Sequence, residues 1–265
     1  MKILDRVHEH YAYYKAVNDR DCFVLALYGS QNYNLADEDS DVDTKVLVIP
    51  TLQDLIFNTK PYNKVYEIGD KLEHIECKDI RNYFKIFRKQ NINFIEILFT
   101  DYFIVNPEYQ DLWNVLQENR EKIARLNEYR AIHCMQGMAN DKFYNLDHIT
   151  STNYEKVMKY GIDPKQLSHL VRIYLFLSKY VEGEPYKDCI QVNEGRDYVI
   201  SLKKNCGGYS EKKARSLALE YYKKIDSIVD SVDFKNEDDE ETSALLDDVL
   251  TQIMTRSLGK ELKNG

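Results

Sequence analysis

A chain of 265 residues is long enough for one large hydrophobic core or two modest ones, and an apolar content of 43% excludes wholesale disorder. A net charge of −8 argues against indiscriminate binding along a polyanion. Much of the acid sits in Glu237-Asp238-Asp239-Glu240-Glu241, which reads as a solvated linker before a last helix.

No run approaches the roughly 18 consecutive apolar residues of a membrane span. The start, Met1-Lys2-Ile3-Leu4-Asp5-Arg6, lacks the apolar stretch and cleavage site of a signal peptide. Five scattered cysteines (Cys22, Cys77, Cys134, Cys189 and Cys206) show no paired metal-ligand spacing, so free thiols in a reducing cytoplasm are expected.

In chain order, the apolar spacing of Val7, Tyr11 and Tyr14 predicts a first helix over residues 5–18. Residues 23–28 form an apolar run too short for a helix and end at Gly29, which predicts a buried strand. A polar connection over 36–40 leads to a second strand over 42–49, stopped by Pro50, and then to a short helix over 53–58. Residues 71–77 read as a third strand. Asp79 then has the character of an N-cap, followed by a helical stripe of Ile80, Tyr83, Phe84 and Phe87. After the break at Asn91-Ile92-Asn93, residues 94–99 form another apolar helical segment. From Glu108 onward the periodicity is mainly helical. The expected organisation is an α/β part over 1–105 with a mixed sheet, and an all-α domain over 106–265.

The chemistry concentrates in Tyr28-Gly29-Ser30 and Ser40-Asp41-Val42-Asp43. Side chains alternate along a strand, so Asp41 and Asp43 are expected to project to one side. Two carboxylates side by side supply the hard oxygen ligands that Mg²⁺ takes when it grips nucleotide phosphates. Gly29 lets backbone approach a phosphate closely, and Ser30 adds a hydroxyl donor. Two-metal transfer calls for a third carboxylate on a neighbouring strand. Glu73 and Glu76 are the candidates, with Glu76 favoured because Ile75 and Cys77 flank it on an otherwise apolar strand. His74 reads as a structural histidine near that site.

The segment GSQNYNLADEDSDVDTKVLVIP resembles the signature of the DNA polymerase beta-type nucleotidyltransferase superfamily. With Tyr33 and KDIRNYFKIFRKQNINFIEILFT, which contains Glu96, it is similar to the predicted nucleotidyltransferases of bacteria and phages that include RNA-ligase-associated members. YGIDPKQLSHLVRIYLFLSKYVEGEPY resembles that group's Lys-x-x-x-His-x-x-Arg helix. Gln31 and Thr44 depart from the pattern, and nothing from Lys187 onward aligns with it.

The resemblance implies a nucleotidyltransferase core in which Asp41, Asp43 and Glu76 bind two Mg²⁺ ions and act catalytically. Gly29 and Ser30 would cradle the triphosphate of ATP or another nucleoside triphosphate. Lys165, His169 and Arg172 fall at i, i+4 and i+7 on one helix face, opposite Leu167, Leu170, Val171, Tyr174 and Leu177. That basic face is expected to bind the triphosphate across a cleft from Asp41 and Asp43.

The expected acceptor is an RNA 3′ end such as that of tRNA, with Lys203, Lys204, Lys212, Lys213 and Arg215 as a mild basic cluster. A protein hydroxyl or a small molecule remains an alternative acceptor. A non-catalytic nucleotide-binding protein would be expected to have lost a carboxylate or Ser30, and this chain keeps them.

Overall fold

The computed structural model describes residues 2–37, 40–69 and 73–264. The chain divides into two compact units, one of Met1–Asn32, Ala36–Asn127 and Glu237–Gly265, the other of Tyr33–Leu35 and Glu128–Asn236.

The first unit opens with helix α1 (Ile3–Val17), followed by strands β1 (Cys22–Tyr28) and β2 (Asp43–Val48) and the short helix α2 (Leu52–Ile56). Strands β3 (Asn63–Ile68) and β4 (Glu73–Asp79) lead into helix α3 (Ile80–Arg88), the single turn α4 (Ile92–Ile95) and a 3₁₀ turn at Glu96–Leu98. Strand β5 (Phe103–Val105) and helices α5 (Gln110–Glu118) and α6 (Arg120–Ala124) follow. The five strands form one sheet in the order β3-β4-β2-β1-β5, in which β2 and β4 run parallel and the other pairs antiparallel.

The expected strands over 23–28 and 42–49 and the helices near 5–18 and 53–58 correspond to β1, β2, α1 and α2 within the usual boundary error. The strand expected over 71–77 lies two residues later as β4, and Lys71 and Leu72 fall outside the described residues. Strands β3 and β5 escape the apolar pattern because they are the sheet edges. Strand β3 is polar and mostly exposed, and β5 has only three residues.

Alternation along the strands sorts the two sheet faces. Leu25, Leu27, Val46, Val48, Ile75 and Cys77 bury themselves with Val7 and Tyr14 of α1. Asp79 caps α3 as expected: its side chain accepts the Arg81 N–H at 2.9 Å. Phe23 of β1 meets Trp113 of α5 edge-on at 5.8 Å.

The division of the chain corrects the boundary at residue 105. Helices α5 and α6 stay with the sheet, and so does the terminal helix α13 (Glu240–Asn264), whose residues Leu246, Val249 and Ile253 are buried. The acidic run before α13 is therefore not a free linker. Asp239 accepts the Thr242 N–H at 2.8 Å and donates its own N–H to Leu126 O, while Asn127 donates to Asp238 at 2.8 Å. Along α13, Arg256 forks onto both oxygens of Asp111, and Lys260 reaches Glu108 at 2.9 Å. Carboxylates at a helix N-terminus are also favoured by its dipole.

In the second unit the described elements are α7 (Glu128–Tyr144), α8 (Tyr154–Tyr160), α9 (Pro164–Val181), α10 (Tyr186–Ile190), α11 (Arg196–Asn205) and α12 (Glu211–Ser231). Helix α9 is its axis, with α7, α10, α11 and α12 packed against it. Asp163 caps α9 by accepting the Lys165 N–H at 2.9 Å, and Pro164 takes the first turn. Residues Tyr33–Leu35 are held here by the Val192 N–H donating to Tyr33 O at 3.0 Å and by Arg196 donating to Asn34 O at 2.8 Å. Among the described residues, no helix is long and apolar enough to cross a membrane.

The role of α13 has a measurable consequence. Ile253→Ala removes a fully buried side chain and should cost about 2–5 kcal/mol in urea unfolding of the first unit. A loss within about 0.5 kcal/mol, as for an exposed position, would contradict the packing described.

A candidate carboxylate site beside a glycine turn

Strand β1 ends at Tyr28, and the chain reverses through Gly29, whose φ of +89° lies where L side chains are strained. A Cβ added there would meet nothing within 4 Å, so the dihedral and not crowding calls for glycine. The turn is held from below by Glu96. Its fully buried carboxylate accepts the Gly29 N–H at 2.9 Å and the Asn32 side-chain amide at 3.2 Å. Asn32 also donates to Leu27 O at 3.1 Å, and its N–H closes the turn on Gly29 O at 3.0 Å. Ser30 is half-buried at the head of this turn.

The second limb returns through Ser40, whose hydroxyl donates to Asp37 at 2.8 Å. Val42 points into the core, and its N–H donates to Glu73 at 3.2 Å. Asp43 stands opposite Tyr28 in the antiparallel register and accepts the His74 N–H at 2.8 Å. Burial raises the Asp43 proton affinity above the usual carboxylate value, and the Asp41 charge adds to it against the opposing His74 hydrogen bond. The Tyr28 phenol is likewise pushed up by burial and then by Asp43, Glu76, Glu96 and Asp41. These carboxylates therefore act on one locale.

The parallel pairing of β2 with β4 sets Lys45 opposite Glu76. Glu76 consequently lies on the face of Asp43 and Lys45, whereas Glu73 lies on the other face. There Glu73 receives Arg6 Nε at 2.9 Å and lies 3.2 Å from His10 Nε2. His10 Nδ1 is in turn 2.9 Å from the Thr44 hydroxyl. The network is buried and holds Val42 between the two aspartates.

Glu76 is engaged by Lys45 at 2.6 Å and by Lys78 at 3.2 Å. Burial alone would raise its proton affinity, but these two ammonium groups outweigh that and keep Glu76 ionised. Lys45 is buried and sits 4.2 Å from the Tyr28 ring centroid and 4.1 Å from that of Phe94.

Among the described residues, no three His, Cys, Asp or Glu side chains already form a group able to hold a metal ion. Glu76 is turned to its lysines. The donor chemistry nevertheless fits a hard divalent cation, because Asp41 and Asp43 offer carboxylate oxygens and carboxylates outnumber ammonium groups around Tyr28.

Of the helical-unit residues singled out in the sequence, Lys165 is exposed, His169 half-buried and Arg172 buried, so the face is not simply solvated. Arg215 is committed within its own unit, to Glu211 at 2.9 Å, Asp147 at 3.3 Å and Gly161 O at 2.8 Å. Sequence reasoning missed the parts played by Lys45, Glu73 and Glu96. Their signal was a charged residue within an apolar strand or turn, as in Lys45-Val46-Leu47-Val48 and Ile95-Glu96-Ile97-Leu98.

A buried carboxylate with raised proton affinity costs stability when ionised. The Asp43 proton is held more tightly in the fold than in the unfolded chain, so its charge penalises folding fully above the folded pKa. Below the unfolded value both states are protonated and the penalty is gone. Asp43→Asn keeps an oxygen for the His74 N–H. It should therefore melt higher than the parent at pH 7 in EDTA, with the gap closing on acidification. A lower melting temperature at pH 7 would contradict this. No protein-family model matches the chain, and no curated protein matches it.

Proposed function

We propose that this chain is a magnesium-dependent nucleotidyltransferase, moving a nucleoside monophosphate from a nucleoside triphosphate such as ATP onto an acceptor hydroxyl. The observation that carries the reading is that Asp43 and Glu76 lie on one face of the sheet, with the charge of Asp41 reaching Asp43, beside a glycine turn fixed by Glu96. Asp41 and Asp43 would hold the magnesium, with Glu76 as third ligand once it leaves Lys45. When bound, such a cation neutralises phosphate charge and makes a nearby hydroxyl more acidic.

The chain's own residues have distinct tasks. The Gly29-Ser30 turn offers an unobstructed backbone edge and a hydroxyl to phosphate oxygens. Glu96 keeps that turn in shape. Glu76, ionised at neutral pH, takes the acceptor proton as the acceptor oxygen bonds to the α-phosphorus. The bond from that phosphorus to the bridging oxygen breaks, and pyrophosphate leaves with the electron pair. Lys45, released from Glu76, stays beside the developing negative charge.

The first choice of acceptor is an RNA 3′ end, tRNA included. Lys203, Lys204, Lys212 and Lys213 support it. Arg215 is withdrawn from that cluster because its guanidinium already holds Glu211, Asp147 and Gly161. Incubation with α-labelled ATP and magnesium should place label in RNA, and label in protein or in a small molecule instead would reassign the acceptor. Asp41→Asn should retain the fold and lower transfer by roughly a hundredfold or more. Transfer at the parental rate in that variant would end the transferase reading.

A further inference from the structure

One long edge of the sheet carries no neighbour. Strand β3 lies outside β4, and among the described residues no strand pairs with its outer side. The direction of its backbone groups follows from the ladder. Tyr62 O accepts the Asp79 N–H at 2.8 Å, and the antiparallel register continues without a shift to Ile68 opposite Glu73. Backbone groups alternate between the two sides of an antiparallel strand. Lys64, Tyr66 and Ile68 therefore bond to β4, whereas Asn63, Val65 and Glu67 turn their N–H and C=O groups outward.

Folds ordinarily blunt such an edge with a bulge, a proline, a very short strand or a covering loop. The opposite edge follows that rule, since β5 has only three residues. Strand β3 has six residues, no bulge and no proline, and it displays Val65 at 54% exposure. The Tyr13 ring of α1 meets that of Tyr66 edge-on at 6.0 Å. Tyr13 and, one turn further along α1, Val17 add exposed apolar surface beside the strand. Outward backbone groups flanked by apolar side chains are what an added strand satisfies and buries.

We propose that β3 pairs with β3 of a second copy of this chain, antiparallel, about a two-fold axis through Val65. The strand is complementary to itself in that register. With Val65 opposite Val65, Asn63 lies opposite Glu67, and every outward N–H finds an outward carbonyl. The side chains agree. The two valines meet at the axis, the Asn63 amide can donate to the Glu67 carboxylate, and Lys64 faces Tyr66 of the second copy. Lys64 already sits over its own Tyr66 ring, with Nζ 4.3 Å from the centroid. No like charges stand opposite each other.

Other registers lose these matches. A shift of two residues puts Val65 against Glu67 and leaves the outward groups of one strand end without a partner. A shift of one turns outward groups toward groups already bonded to β4. The pairing would join two five-stranded sheets into one, whether or not Asp41 and Asp43 bind a cation.

Sedimentation equilibrium of the full chain from about 1 μM to 1 mM tests the pairing, and the parent should show a monomer–dimer equilibrium. Val65→Pro removes an outward N–H and no bond to β4, and Val65→Lys sets two ammonium groups against each other on the axis. Each should raise the dimer dissociation constant by roughly tenfold or more while the far-UV circular dichroism stays that of the parent. If Val65→Pro does not fold, Val65→Lys at the same exposed position carries the test. Hydrogen exchange reads the register. Raising the concentration should protect the amides of Asn63, Val65 and Glu67, while those of Lys64, Tyr66 and Ile68 should be protected throughout. A chain that stays monomeric over the whole range, its edge left for a strand of another protein, would overturn the proposal. A dimer that survives both substitutions, or one that protects none of the outward amides, would overturn it as well.

Discussion

The parallel pairing of β2 with β4 is the constraint on which the candidate site depends. It puts Thr44 opposite Ile75 and Lys45 opposite Glu76, and so decides which carboxylate shares a face with Asp43. A slip of one residue would exchange the faces of a whole strand. Ile75 or Cys77 would then stand opposite Lys45, Glu73 would move to the face of Asp43, and the apolar set of Ile75 and Cys77 would leave the core. Burial of that set against α1 is therefore what locks the carboxylate arrangement in place. Packing and chemistry are two readings of one register.

The same register distributes electrostatic cost. On the α1 face, Glu73 is compensated by Arg6 and His10 and uses its other oxygen to hold the Val42 amide. On the opposite face, Glu76 is compensated by Lys45 and Lys78, but Asp43 has only the peptide N–H and the imidazole of His74. Compensation is complete where the structure needs rigidity and incomplete where a cation is expected to arrive. Arg172 in the helical unit mirrors Asp43 with the opposite sign, a buried charge short of its counter-ion. Folds tolerate such groups where function offsets the loss in stability.

Much of the site could be read in the sequence, because its parts follow local rules. Gly29 ends a short apolar run and takes a positive φ, and Asp79 caps the helix that the stripe of Ile80, Tyr83, Phe84 and Phe87 announces. The choice of Glu76 over Glu73 also follows from alternation once a strand is granted. Long-range pairing left no local trace. The attachment of α13 to the sheet unit depends on Arg88, Arg256 and Lys260 finding partners more than a hundred residues away, and its acidic start looked like a linker. Burial of Arg172 depends likewise on Tyr33, which lies far from α9 in sequence. Strands β3 and β5 were invisible because an edge strand needs no alternating apolar face.

The account stands on Asp41 and Asp43 sharing a divalent cation. Anomalous diffraction from a crystal soaked in Mn²⁺ measures that directly. The account predicts a manganese peak within about 2.5 Å of carboxylate oxygens from both aspartates. A saturating soak with no peak at either aspartate, or with one only on the Glu73 face of the sheet, would contradict it.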